Sequence, residues 1–123
     1  MEAKSHKDLT VWQKSISLCE EIYKLTDGFP SREMYGLSAQ MRRATVSIPS
    51  NIAEGRNRGS RKDYAHFLHM SYGSAAELET QLLIAEKLGF CKNEDCTRAR
   101  TLIIEVSKML HVMIEKLNES RSS

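Results

Sequence analysis

The chain has 123 residues, 41% of them hydrophobic and 28% charged, with a formal net charge of +2. That is long enough for one core and too apolar for a disordered chain. Six Gly and two Pro leave few turns for an all-β fold, and no apolar run approaches the roughly 20 residues of a membrane span.

The expected class is therefore all-α, a single domain over residues 1–123. The N-terminal MEAKSHKDLT is charged, with no apolar run behind it, so no secretory signal is expected. The first helix is predicted over about 8–26, with Asp8 in its cap or first turn. Leu9, Trp12, Ile16, Cys19 and Tyr23 recur at helical steps and are the expected core face. Asp27-Gly28-Phe29-Pro30 ends it, with Gly28 expected as a left-handed cap.

Ser31 is the candidate cap of a second helix over about 32–55, carrying Leu37, Met41, Ala44 and Ile48 on one face. Pro49 falls inside that pattern. It offers no N–H to the carbonyl of Thr45, so a kink is predicted there; Ile52 and Ala53 restore the apolar face beyond it. Asn51 is expected to satisfy carbonyls released by Pro49, and Glu54 to hold Arg42 or Arg43. Ser60 and Asp63 resemble a capping box opening a third helix over 61–88. Its stripe is Tyr64, Leu68, Ser71, Ala75, Leu78, Leu82 and Ala85. Gly73 in its middle lowers helix propensity, for which the close approach of another helix would compensate.

Gly89 stops the third helix, Phe90 is placed to fold back, and Asn93 opens a fourth over 93–118, with Ala99, Ile103, Val106, Leu110, Met113 and Leu117 in register. The tail from Asn118 on is expected to fray. Four amphipathic helices on short loops predict an antiparallel up-down-up-down four-helix bundle. Ten of the sixteen residues in 102–117 are apolar, and Leu83 and Ile84 widen the third stripe. A second apolar face of that breadth predicts a homo-oligomer.

The net charge is small, but the cations are gathered. Between residues 40 and 62 stand Arg42, Arg43, Arg56, Arg58, Arg61 and Lys62 against one anion, Glu54. A local basic patch is the usual footprint of a phosphate-bearing partner, RNA or DNA. The competing reading is a solvated loop, with Arg42 or Arg43 paired to Glu77 or Glu79. No aromatic residues interleave the patch, so base stacking is not indicated.

Other chemistry is thin. Arg61-x4-His66 matches the loose Arg-x(4–6)-His signature of HEPN-type ribonucleases, where Arg steadies a phosphate and His assists a ribose hydroxyl. Nine Arg and four His make one such match unsurprising. His66 and His69 sit one turn apart, but no Glu-x-x-His pair accompanies them, so no metal and no cofactor are expected. Cys19, Cys91 and Cys96 lack zinc-site spacing and are expected as reduced thiols in a cytoplasm.

Arg42-Arg43-Ala44-x-x-Ser47-Ile48-Pro49-Ser50-Asn51-Ile52-Ala53-Glu54-Gly55, followed by Gly73-Ser74 and Glu77-Leu78-Glu79-Thr80-Gln81-Leu82, resembles a known family. It is that of the four-helix-bundle proteins encoded in intervening sequences of bacterial 23S ribosomal RNA. Asp8-Leu9-x-Val11-Trp12-Gln13-Lys14 is similar to the family as well, and the likeness spans about residues 6–117. The resemblance implies a homopentamer of antiparallel bundles. The family includes the accessory variability protein of diversity-generating retroelements, a basic pentamer that associates with a reverse transcriptase and nucleic acid. The expectation is a non-catalytic bundle that engages nucleic acid, or an enzyme acting on it, through residues 42–62. A protein-binding scaffold and a ribonuclease using Arg61 and His66 are the alternatives.

Overall fold

Helices account for the architecture. The computed structural model describes residues 4–122, and among them it has four α-helices and no strand: α1 (Thr10–Asp27), α2 (Leu37–Arg56), α3 (Arg61–Lys87) and α4 (Asn93–Ser122). Each packs on two neighbours, α1 on α2 and α4, and α3 on α2 and α4, which closes a four-helix bundle. Across α2 and α3 the facing residues pair rising numbers with falling ones. Ser47 meets Ser74, and the carbonyl of Ile48 accepts from Ser71 Oγ. Likewise Lys14 meets Glu105, while Tyr72 lies against His111.

The core is continuous along the bundle. Leu18 and Ile22 from α1, Met41, Ile48 and Ile52 from α2, Leu68, Leu78 and Leu82 from α3, and Ile103, Val106 and Leu110 from α4 are fully buried. The expected stripes of α2, α3 and α4 supply this core. That of α1 does not. Its buried column is Val11, Ser15, Leu18, Ile22 and Leu25, one position round from the expected one; Leu9, Trp12, Ile16 and Cys19 form a half-buried flank and Tyr23 is exposed. Two apolar columns run side by side on α1, and the true core column is interrupted by Ser15. That hydroxyl is tolerated because it donates to the carbonyl of Trp12 at 2.7 Å.

Helix ends differ from expectation in instructive ways. Asp8 caps a separate 3-10 turn, His6–Asp8, in a reciprocal box with Ser5. Gly28 is right-handed (φ −87°) rather than left-handed. Ser31–Glu33 is a 3-10 turn too, and α2 starts only at Leu37, whose N–H donates to the Glu33 carboxylate at 3.1 Å. Ser60 accepts from the N–H of Asp63 at 3.1 Å and so caps α3. Gly89 takes φ +75°, and Phe90 folds back to lie 5.6 Å from Phe29. The fourth helix continues past 118 to Ser122; Ser123 lies outside the described residues.

Cys91 and Cys96 are joined in a disulfide across the start of α4, which corrects the expectation of reduced thiols there. Cys19 is free. No helix of the described residues is long and apolar enough to cross a membrane.

Candidate nucleic-acid interface

Pro49 does not break α2, which continues as one helix to Arg56. Its missing N–H leaves the Thr45 carbonyl without the usual helical donor. The donor comes from the neighbouring helix, where Cys19 Sγ sits 3.3 Å from that oxygen. Burial raises the Cys19 thiol above its ordinary value of 9.0, against a lowering hydrogen bond from Thr45. Asn51 serves a different carbonyl from the one expected: its side-chain N–H donates to Ser47 O and Ser47 Oγ, both at 2.9 Å. Ser47 Oγ in turn meets Ser74 Oγ at 2.9 Å.

One turn further on, Gly55 lets the two helices touch. A Cβ there would lie 2.7 Å from Phe67 Cβ and 3.2 Å from Tyr64 Cδ1. Gly73 has no such reason: a Cβ on it would meet nothing within 4 Å, so the expected close approach is absent within the chain. The segment from Ser47 to Gly55 is thus a device that fastens α2 to α1 and α3.

Beyond Gly55 the chain turns through Asn57–Ser60, with Gly59 at φ +90°. The N–H of Asn57 bonds back to Ala53 O at 3.2 Å and that of Arg58 to Gly55 O at 3.2 Å. Asn57 Nδ2 also donates to Ala53 O at 2.7 Å and lies 3.2 Å from His6 Nδ1. This contact draws the N-terminal 3-10 turn against the loop. His6 is held edge-on to Trp12 at 5.3 Å, and Lys4 and Lys7 beside it are exposed. One end of the bundle therefore carries Lys4, Lys7, Arg56, Arg58, Arg61 and Lys62.

The family described as 23S rRNA-intervening sequence protein matches residues 7–112. The chain belongs to this family. The bundle is similar, with a TM-score of 0.79 and 24% identity, to a protein of unknown function from the S23 ribosomal protein family of Bacteroides thetaiotaomicron; the match covers 85% of this chain and 95% of that one. At that identity the likeness speaks for the fold. Among proteins with a curated description, none matches.

In this chain the six cations of 42–62 fall into two groups. Fourteen residues of helix separate Arg42 from Arg56, a rise of about 21 Å. Arg42 is engaged at the far group: its guanidinium meets Asp27 at 2.8 Å, donates to Thr26 Oγ1 at 2.8 Å and lies 4.8 Å from the centre of the Tyr23 ring. Its partner is on α1, not the expected Glu77, Glu79 or Glu54. Arg43 is exposed on α2.

The near group is Arg56, Arg58, Arg61 and Lys62. Glu54 pairs with Arg58 at 3.3 Å, and the same guanidinium lies 5.0 Å above the Phe67 ring. Arg56 is half-buried beside Tyr64, whose phenol is pushed above its ordinary 10.0 by burial, with Arg56 opposing the rise. Arg61 and Lys62 are exposed in the first turn of α3. Cations there oppose the positive helix end, at a cost of a few tenths of a kcal/mol each. An anion bound across them would relieve that cost.

His66 is exposed, edge-on to Phe67 at 5.4 Å. Five residues along a helix from Arg61, it points about 140° away around the axis. His69 is also exposed. Sequence reasoning missed Lys4 and Lys7, which no spacing rule ties to residues 56–62; the His6–Asn57 contact joins them.

Proposed function

We propose that this chain is a non-catalytic, oligomeric bundle that associates with RNA or DNA, or with an enzyme acting on them, through its basic end. The observation that carries the reading is the gathering of Arg56, Arg58, Arg61 and Lys62 at one helix–loop–helix corner, with Lys4 and Lys7 beside them. Arginine forks match phosphate oxygens, and the opening N–H groups of α3 add donors next to Gly59 and Ser60. The lack of exposed aromatic platforms there favours backbone contact over base reading. A cytoplasmic site of action goes with such a partner. The family resemblance adds a reverse transcriptase as the kind of enzyme served.

Self-association is part of the proposal. Ile104 and Val112 stand 38% and 51% exposed on α4, with Leu83 and Ile84 exposed on α3. On either side of α4 run grooves of about 440 Å³, against Leu9 and Met113, and about 540 Å³, against Tyr72 and Ala76; Lys108 and Val112 line both. An apolar face of this kind favours a covering subunit, and the family resemblance sets five as the number. A ring would repeat the basic end, so that weak phosphate contacts sum.

The test is a titration of labelled RNA and DNA at two salt concentrations, beside light scattering. The expected result is a mass near five chains and binding that weakens steeply with salt. Replacing Arg56, Arg58, Arg61 and Lys62 together should flatten the salt slope by roughly three to four units per protomer engaged. Binding that is absent, or indifferent to salt and to those substitutions, would leave the protein-binding scaffold. RNA cleavage lost in His66→Ala would instead support the ribonuclease.

A further inference from the structure

At the other end of the bundle, about 40 Å along α3 from Arg61, the Cys91–Cys96 bond ties the α3–α4 turn to the opening of α4. The turn does not depend on it. The Gly89 N–H bonds Glu86 O at 3.0 Å and the Phe90 N–H bonds Ala85 O at 2.9 Å. The Phe90 ring packs on Phe29 with Arg32 above it, 5.7 Å away. An Arg100–Glu86 ion pair bridges α3 and α4 just beyond. These contacts fix the path of the chain on both sides of Cys91.

The bond closes a short ring, the two cysteines being five positions apart in sequence. A short ring removes the least freedom from the unfolded chain, so this cross-link contributes near the lower end of what disulfides contribute. The two cysteines also differ in burial: Cys96 is fully buried in the core cluster, whereas Cys91, in the turn, is only partly buried against it. A bond that the turn does not need, with one of its two cysteines open in part to solvent, fits the exchangeable class of disulfides better than the structural one.

We propose that Cys91–Cys96 is a reversible thiol–disulfide exchange site for a low-molecular-weight monothiol of the glutathione type, with Cys91 the sulfur attacked. The incoming thiolate bonds to Cys91 Sγ, and the Cys91–Cys96 bond breaks. Its electron pair leaves on Cys96, which takes a proton from water. A second thiolate attacks the small molecule's sulfur in the mixed disulfide and releases Cys91 as a thiolate, which is protonated in turn. In sum one protein disulfide is reduced by two electrons, and two thiols are oxidised to one small disulfide. The reverse sequence closes the bond, while the bundle stays folded in both states.

The experiment equilibrates the full-length protein in mixtures running from reduced to oxidised glutathione. It then quenches in acid, denatures, and counts free thiols by alkylation and mass spectrometry, with circular dichroism followed in parallel. The expected count moves from three per chain in reduced glutathione to one in the oxidised form, at constant helicity. Cys91→Ser should hold at two across the reducing half of the range; it is preferred to Cys96→Ser because Cys96 is in the core. A wild-type count fixed at one means an inert staple, and one fixed at three means no bond forms; either overturns the proposal. So does helicity lost along with the bond.

Discussion

Gly55, in the last turn of α2, and Gly73, in the middle of α3, are both helical glycines, and the same substitution should move them in opposite directions. A methyl at 55 would sit 2.7 Å from Phe67 Cβ, 3.2 Å from Tyr64 Cδ1 and 3.3 Å from the Tyr64 carbonyl. None of these atoms is the free end of a flexible side chain. Relief therefore requires the last turn of α2 and the first turns of α3 to part by several tenths of an ångström. Overpacking of this kind costs about 1–3 kcal/mol, while replacing Gly by Ala in a helix returns up to about 1 kcal/mol. Gly55→Ala should thus lose roughly 1–2 kcal/mol. Gly73, where nothing lies within 4 Å, keeps only the second effect, so Gly73→Ala should gain about 0.5–1 kcal/mol. Urea denaturation followed by far-ultraviolet circular dichroism, at one protein concentration, reads both. A midpoint for Gly55→Ala at or above that of the native sequence would refute the close packing of α2 on α3.

Two further outcomes follow from Cys19 and Tyr64. Cys19→Ala removes the donor to the Thr45 carbonyl, whose own residue is fully buried, and should cost about 1–3 kcal/mol; Cys19→Ser keeps a donor and should recover part of it. Equal urea midpoints for the two variants would show that the thiol does not cap that carbonyl. Burial lifts the Cys19 thiol above 9.0 and the Tyr64 phenol above 10.0. The folded chain then holds these protons more tightly than the unfolded one. Their contribution to stability is whole below pH 9 and is lost as pH climbs through the raised values. The melting temperature should start to fall above pH 9, and Cys19→Ser should delay the onset. A fall that starts at the same pH in the variant would remove Cys19 as a cause.

Periodicity located three of the four core faces because on α2, α3 and α4 the buried column is also the most apolar one. On α1 it is not: Ser15 stands in the buried column, while Trp12, Ile16 and Tyr23 give the half-exposed flank a stronger pattern. Hydrophobicity records transfer from water, and a serine bonded to the preceding turn transfers cheaply, so pattern alone chose the neighbouring column. The gap in α2 before Leu37 had a readable sign in Gly36. That the Glu33 carboxylate would reach round to the Leu37 N–H depends on a side-chain path no spacing rule describes. The cysteines follow the same logic. Spacing excluded a zinc site, but whether Cys91 and Cys96 meet depends on how the turn after Gly89 is folded.

The basic segment shows where sequence reading ends and why. Charge density along the chain placed six cations together; the helix between them pulls them about 21 Å apart. Arg42 is then spent on Asp27, Thr26 and Tyr23 of α1. The most specific stretch of the family likeness, Ser47 to Gly55, is consumed in the same way. Its hydroxyl and amide groups are turned to Ser74 and to α2 itself, its glycine to Tyr64 and Phe67, and Ser71 takes the carbonyl of Ile48. A motif with Ser47, Asn51 and Gly55 engaged in this way specifies how α2 locks onto α3, while its Ser50 and Glu54 stay exposed. The proposed partner contact rests on the cations that begin one residue after Gly55, of which Arg56 is half-buried and Arg58 is paired with Glu54, together with Lys4 and Lys7, which the motif does not include. On the proposed reading, relatives that keep the motif but lose charge at 56–62 keep the fold and lose salt-dependent binding of nucleic acid.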